Sequence, residues 1–377
     1  MTGRHRHPAT RPIAAGAALV AALAVGGLLL AMPTPEPEQA PDRSRAAGPS
    51  RLSDAWPKAR TGEYDSTLAD GASYTPILFL NLTTSVGTAP TLDQERERLL
   101  LVAKGRKPRR LGSLPAEVGP GFNGVVSDGE RVVWAETVPG SQGVAKTTLW
   151  IAEVSGGEAR TLTTDTGDVI FFGSQHDLQV VGGRLHWASQ PGAGKQKRPA
   201  TEIRSVPLSG GKVEVRTFDG GYSMAGWPWL ASITRGGSEP VTLKRATGGR
   251  TVTARPGAGE LLTCGARWCR VIVLGDQGRT RLDVMKPNGS ARRRVAGGDA
   301  TPAVVDIMLL GRFEPLTAAA RNGSAADQRL LLYDGKTRRT VLVADSLGTV
   351  HGRDGFLWWS VGEAEVKRWH VLDLRSL

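Results

Sequence analysis

The sequence predicts an all-β fold, a seven-bladed β-propeller, and three observations carry that prediction. A hairpin of one design recurs six times: an apolar strand, a tight Gly-containing turn, then a strand bearing Arg or Thr. The copies read LLLVAKGRKPRRLGSL (99–114), LWIAEVSGGEARTLT (149–163), IRSVPLSGGKVEVRTF (203–218), VTLKRATGGRTVTA (241–254), LDVMKPNGSARRRVA (282–296) and LLLYDGKTRRTVLVA (330–344). With turns near 105, 156, 210, 248, 289 and 335, the spacings are 51, 54, 38, 41 and 46 residues, the range of a four-stranded blade and far above that of a leucine-rich repeat. Upstream of each copy lies a second hairpin, rich in β-branched and aromatic residues, as half-buried strands require. These are TPILFLNL (75–82), VVSDGERVVWAET (125–137), LQVVGGRLHWAS (178–189), YSMAGWPWLASIT (222–234), ELLTCGARWCRVIVL (260–274) and VVDIMLLGRFEPLTAA (304–319). A seventh, TVHGRDGFLWWSV (349–361), favours seven blades over six.

The elements follow in chain order. Residues 1–12 carry Arg4, Arg6 and Arg11 with no acidic residue, and 13–32 is an uncharged apolar run long enough to span a bilayer as a helix. Positive charge on its N-terminal side predicts a cytoplasmic tail, an uncleaved single-pass transmembrane anchor over 13–32 and a propeller on the extracytoplasmic side of the cell membrane, secreted instead if the run is cleaved. Residues 33–54 are Pro-rich with mixed charge, a linker that cannot bury a core. The propeller is assigned to 55–377. Its last hairpin is followed by one further strand (KRWHVLDLRSL), so the stretch AWPKARTGEY (55–64) is expected to supply the missing outer strand and close the ring.

Cys264 and Cys269 flank a four-residue turn in one hairpin, which sets them opposite each other across the ladder and predicts a disulfide. Two thiolates make half a zinc site, and no His lies within forty residues of them. The Trp residues are read as packing between blades.

The formal charge of +12 invites a nucleic-acid reading. The basic clusters at 104–110, 195–198, 291–294 and 336–339 argue against it: three sit at the turn leading into an outermost strand, where Lys and Arg protect an exposed edge, and no aromatic platform alternates with them. Contact of one basic rim with anionic lipid or wall polymers stays open.

If strands run outward within each blade, the remaining loops gather on the opposite face. They bring Asp168, His176, Asp177, Asp219, Tyr222, Glu260, Asp299 and Asp345 towards one channel mouth, together with the long connections 83–95, 137–147 and 189–200. Long loops on a rigid scaffold are where binding usually resides. The alternative is that these acids are turn formers only. Substitutions at Asp177, Asp219, Tyr222 or Asp299 are accordingly expected to leave folding nearly unchanged. His176 and His351 are the candidates for chemistry at the channel, whereas His186 and His370 fall within strands.

VVSDGERVVWAE followed by TLWIAEVSGGEARTLT resembles the repeat of TolB-type, WD-like propellers, with its SPDGK-like turn and Arg-x-Leu-Thr end. The match is to the blade at 122–164, and such propellers commonly have six blades. The resemblance implies an extracytoplasmic binding module and brings no catalytic residues. GRDGFLWWSVGE (352–363) is similar to the blade motif of virginiamycin-B-lyase-like propellers, which implies an alternative, lyase-type chemistry with a His and a bound divalent metal at the channel. No G-x-S-x-G elbow, Asp-box, P-loop or H-E-x-x-H helix occurs. The expectation is therefore a non-enzymatic scaffold without a cofactor, a monomer that takes a protein or cell-envelope partner.

Overall fold

The computed structural model describes residues 49–119, 121–140, 145–191, 199–276, 278–320, 328–362 and 367–377. The strands form seven separate antiparallel sheets. Blade 1 consists of Thr75–Asn81, Thr84–Pro90, Arg96–Ala103 and Arg109–Pro115, paired in chain order from the channel outward. Blades 2 to 6 repeat this order, starting at Gly121, Asp168, Tyr222, Glu260 and Ala300. Blade 7 contributes Val350–Arg353, Phe356–Val361 and Arg368–Asp373. Its outer strand is Arg60–Asp65, which pairs antiparallel from Arg60 opposite Asp373 to Asp65 opposite Arg368. The ring is thus closed by the N-terminal stretch, as the missing edge required. Tyr64 ties the closure to blade 1: its hydroxyl donates to the Leu82 carbonyl at 2.6 Å and its ring meets Phe79 edge-on at 5.2 Å.

Packing between blades rests on tryptophan. Trp134, Trp187, Trp358 and Trp369 are among the largest fully buried side chains. Three of them also satisfy their indole N–H across a blade boundary: Trp187 to the Thr166 carbonyl, Trp358 to Pro76 and Trp369 to Tyr74. Apolar area and a paired polar tip therefore act together, as buried indoles require.

Two arginines expected to protect outer edges, Arg109 and Arg293, instead tie blades together, and Arg160, outside the basic clusters, does the same. Arg109 of blade 1 donates to the carbonyls of Glu153 and Gly157 in blade 2's outer turn, Arg160 of blade 2 to Leu208 of blade 3, and Arg293 of blade 5 to Gly335 of blade 6. Each guanidinium satisfies turn carbonyls that would otherwise be left to water. The cluster 195–198 lies outside the described residues, as do the N-terminal tail and the apolar run at 13–32. Among the described residues no helix is long and apolar enough to cross a membrane. From Ser50 the chain already lies against blade 6: its carbonyl accepts from Leu342 N–H at 2.9 Å, and a short helix, Leu52–Ala55, follows.

Two expectations change. The stretch 83–95 is not a long loop, because Thr84–Pro90 is blade 1's second strand. The hairpin at 304–319 is not continuous, because its inner strand is Ala300–Pro302 and the chain rejoins the sheet only at Phe313–Ala319.

Candidate functional site

The inner strands of two blades are interrupted, and the interruptions meet across the channel. In blade 3, Asp168–Val169 pairs with Gln190 and Ser189, and Leu178–Val181 pairs with Trp187 to Arg184 on the same neighbour. The residues between leave the sheet opposite Ala188 and bulge towards the axis. In blade 6, Ala300–Pro302 pairs with Ala318 to Leu316, Ala303 N–H reaches the Pro315 carbonyl, and 304–312 then leave the sheet.

The two excursions meet. Asp306 accepts from Ser174 Oγ at 2.6 Å and from Gln175 N–H at 3.0 Å. Blade 7 joins them: Arg353 donates to the carbonyls of Val125 and Ser174, and Gln175 Oε1 accepts from Asp354 N–H. Blades 3 and 6 are separated by other blades around the ring, so this contact bridges the channel.

Each excursion has its own internal support. Asp177 is buried, and one of its carboxylate oxygens accepts from Phe172 N–H at 2.8 Å and Ser174 N–H at 3.1 Å. Burial pushes its carboxyl up to about 6 against those two hydrogen bonds. In blade 6, Arg270 reaches under the excursion from blade 5. It pairs with the fully buried Glu314 at 2.6 Å and donates to the carbonyls of Val304, Val305 and Asp306. The other Glu314 oxygen accepts from Met308 N–H at 2.7 Å. Met308 and Leu310 hold φ of 51° and 55°, a left-handed conformation that costs a side-chain-bearing residue ~1 kcal/mol or more and persists only where the surroundings enforce it.

Between the excursions and the first-hairpin turns of blades 4, 5 and 7 lies a cavity of about 790 Å³. Its walls include Trp227, Trp229 and Trp268, with Met224 and Met308. Three strongly exposed apolar side chains stand among its lining residues, Val305 at 56 %, Leu310 at 49 % and Phe172 at 44 % exposure. Trp227 is backed by the His186 ring, stacked at 4.1 Å; burial lowers this imidazole to about 4, so it is neutral. Trp268 is fixed from three sides, by its N–H on the Gly311 carbonyl at 3.0 Å and by Lys286 and Arg293 over its ring.

The turn that carries Trp268 is the disulfide hairpin. Cys264 and Cys269 are bonded, opposite each other in register with Cα atoms 4.0 Å apart. Arg267 stands between them at the cavity, exposed and without an ion pair or side-chain hydrogen bond among the described residues.

This cavity sits at the end of the channel where the first hairpins turn, opposite the mouth to which the sequence assigned the acids. Of the residues expected at a site, His176 and Asp177 line it, because the blade 3 excursion carries them through. Burial lowers the His176 imidazole, with Asp306 acting against and Arg353 with that effect. Asp168 begins the inner strand of blade 3, at the other end. Asp219 ends an outer strand, and Tyr222 starts blade 4 with its N–H on Thr201 Oγ1. Glu260 pairs with Arg292 at 2.6 Å, which lowers its carboxyl, and Asp345 pairs with Arg51 at 3.0 Å. Asp299 lies just ahead of the blade 6 inner strand. His351 is on the inner strand of blade 7, its ring stacked on Trp358 at 5.5 Å. The acids thus do not form one free ring. The residues missed were Val305, Leu310, Phe172 and Arg267, and their only sequence signals were a Gly after Leu310 and the position of Arg267 between two cysteines.

No known protein-family profile matches the chain, and no curated protein matches it. Its fold has many solved counterparts. An oligogalacturonate lyase in complex with manganese superposes with a TM-score of 0.52 at 11% identity, covering 84% of this chain and 96% of that one. The β-propeller domain of the Trilobed protease from Pyrococcus furiosus gives 0.43 at 12% identity, over 65% of this chain and 80% of that one. An acylaminoacyl peptidase gives 0.48 at 10% identity, over 77% of this chain and 49% of that one. At such identities the likeness is one of fold. Among the described residues no group of three or more His, Cys, Asp or Glu side chains is placed to hold a metal ion.

Proposed function

We propose that the chain is a binding module, TolB-like in its repeat, held on the outer side of a membrane by its N-terminal segment and taking its ligand at the excursion-lined mouth of the channel. One observation carries the reading. Exposed apolar side chains are ordinarily scattered, yet Val305, Leu310 and Phe172 share the lining of one concave cavity with three tryptophans. A concave apolar site with a few convergent polar groups is the usual form of a ligand pocket, and a clustered exposed patch is the usual mark of an interaction site. The Cys264–Cys269 disulfide supports an oxidising compartment, and the basic flank of the apolar run supports outward placement. The acidic mouth is less suited, since Glu260 and Asp345 are already paired.

Site-directed photo-crosslinking in intact cells tests this. A photoreactive residue at Val305 or Leu310 is expected to capture a ligand or partner, and one at Asp219 or Asp299 to capture none. Capture from Asp219 or Asp299 alone would move the working surface to the opposite mouth.

A further inference from the structure

The cavity holds two charged side chains with no hydrogen-bond or ion-pair partner among the described residues. Arg267 is exposed at one side, with Gly311 so close that a Cβ there would lie 3.6 Å from its Nη1, yet its guanidinium has no hydrogen-bond or ion-pair partner among the described residues. Asp354 stands at the other side, in the Asp-Gly turn of blade 7; its residue surface is exposed, the surrounding cavity wall raises its carboxyl by desolvation, and the neighbouring Arg353 acts against that rise. The Asp354 N–H is bonded to Gln175, and its carboxylate has no partner among the described residues. The other charges around the cavity are spent: Asp306 on Ser174 and Gln175, Asp177 on Phe172 and Ser174, and Arg353 on two carbonyls. No ion pair joins Arg267 and Asp354, whose turns belong to blades 5 and 7, and the blade 6 excursion with its exposed Val305 and Leu310 comes between those blades in the ring.

A cation, an apolar bridge and an anion, in that order, are complementary to a molecule with a carboxylate, an apolar body and an ammonium group. Resting on the binding reading above, we infer that the cavity selects a short free peptide with apolar side chains, its C-terminal carboxylate on Arg267 and its N-terminal ammonium on Asp354. The rigidity of both turns favours such end recognition. The disulfide and the locked Trp268 fix the backbone that presents Arg267, and the turn at Asp354, with φ of 50° followed by Gly355 at 83°, is of the tight hairpin type that an Asp-Gly pair stabilises. Little side-chain or loop ordering is then left to oppose binding.

The test uses the full-length chain and a pool of tripeptides of leucine, valine and phenylalanine in four forms: free, N-acetylated, C-amidated, and blocked at both ends. Binding is read from the fluorescence of the cavity tryptophans and, separately, by calorimetry. The free pool is expected to bind, and each single block to weaken it about tenfold or more, the scale of a lost charge-assisted hydrogen bond. Arg267→Gln is expected to lose the discrimination against C-amides while keeping that against N-acetyl forms, and Asp354→Asn the reverse. Asparagine suits the same turn, so folding is kept. Equal binding of all four forms, abolished by Leu310→Asp, would overturn the end recognition and leave the cavity as a binding site. Failure of every form to bind overturns the inference, while the crosslinking from Val305 and Leu310 judges the binding reading independently.

Discussion

Replacing Arg270 by Met should be among the most destabilising single changes in this propeller, and its effect should be felt at the cavity. Arg270 makes four hydrogen bonds, one to Glu314 and three to the carbonyls of Val304, Val305 and Asp306. Met matches much of its length and none of its donors. The change leaves Glu314, 0 % exposed, with a single remaining partner, the Met308 N–H. Breaking a buried ion pair by removing one member costs ~3–5 kcal/mol, because the other charge stays buried. Glu314→Gln keeps an acceptor for only one of Met308 N–H and Arg270 and leaves the Arg270 charge buried without its anion, so it should cost a comparable ~3–5 kcal/mol. In Arg270→Met combined with Glu314→Leu, the uncompensated charge is gone, so part of the stability should return. The three excursion carbonyls remain without donors in that double variant, and hydrogen exchange across 304–312 should stay fast. Urea unfolding gives the stabilities and exchange gives the local effect. A loss below ~1 kcal/mol in Arg270→Met with unchanged exchange at 304–312 would refute the claim that this pair holds the excursion.

Further outcomes follow from the same geometry. Asp177 has a folded pKa of about 6, above the ordinary carboxylate value, so the native state retains a proton that the unfolded chain releases. Its contribution should therefore make the protein more stable as pH falls from 7 through 6 towards 4, by up to ~3 kcal/mol. Asp177→Asn should flatten that profile, and Asp177→Ala should destabilise by ~2–3 kcal/mol through two stranded amides, against the sequence expectation of a neutral surface site. Arg109→Ala, Arg160→Ala and Arg293→Ala should each cost ~1–2 kcal/mol in thermal unfolding, where edge-protecting arginines would cost nothing measurable. A chain beginning at residue 70 should lose cooperativity in unfolding relative to one beginning at 50, because blade 7 loses its outer strand and Tyr64 leaves Phe79 and Leu82.

The blades were legible because the outer hairpins repeat a turn chemistry that nothing else in the chain imitates: Gly156-Gly157, Gly210-Gly211 and Gly248-Gly249 all hold positive φ, which a side chain resists. Blade 1's second strand was hidden by its composition. Gly87 faces the Thr75 carbonyl and the Tyr74 ring so closely that a Cβ would lie 2.3 Å and 2.7 Å from them, and Ser85 is buried to meet the Tyr74 hydroxyl. Large neighbours demanded small residues, and small residues read as a loop. The cavity was hidden for a different reason. The run VVDIMLL looks like a strand by propensity, but Arg270, distant in sequence, and Glu314, just beyond the run, hold it out of the sheet. The blade 3 excursion that meets it carries no turn signal beyond Gly173. A site assembled from two interruptions on opposite blades has no local signature, so the acids of the other mouth, which do cluster in the loops, drew the functional reading away from it.

The claim at the centre of this account is that the working surface is the cavity between the two excursions. A structure of the full-length chain recovered from its native cells with its bound ligand tests it most directly. The account predicts ligand density against Leu310, Val305 and Trp227 within reach of Arg267. Density confined to the opposite mouth, around Asp219, Tyr222 and Asp299, would contradict it.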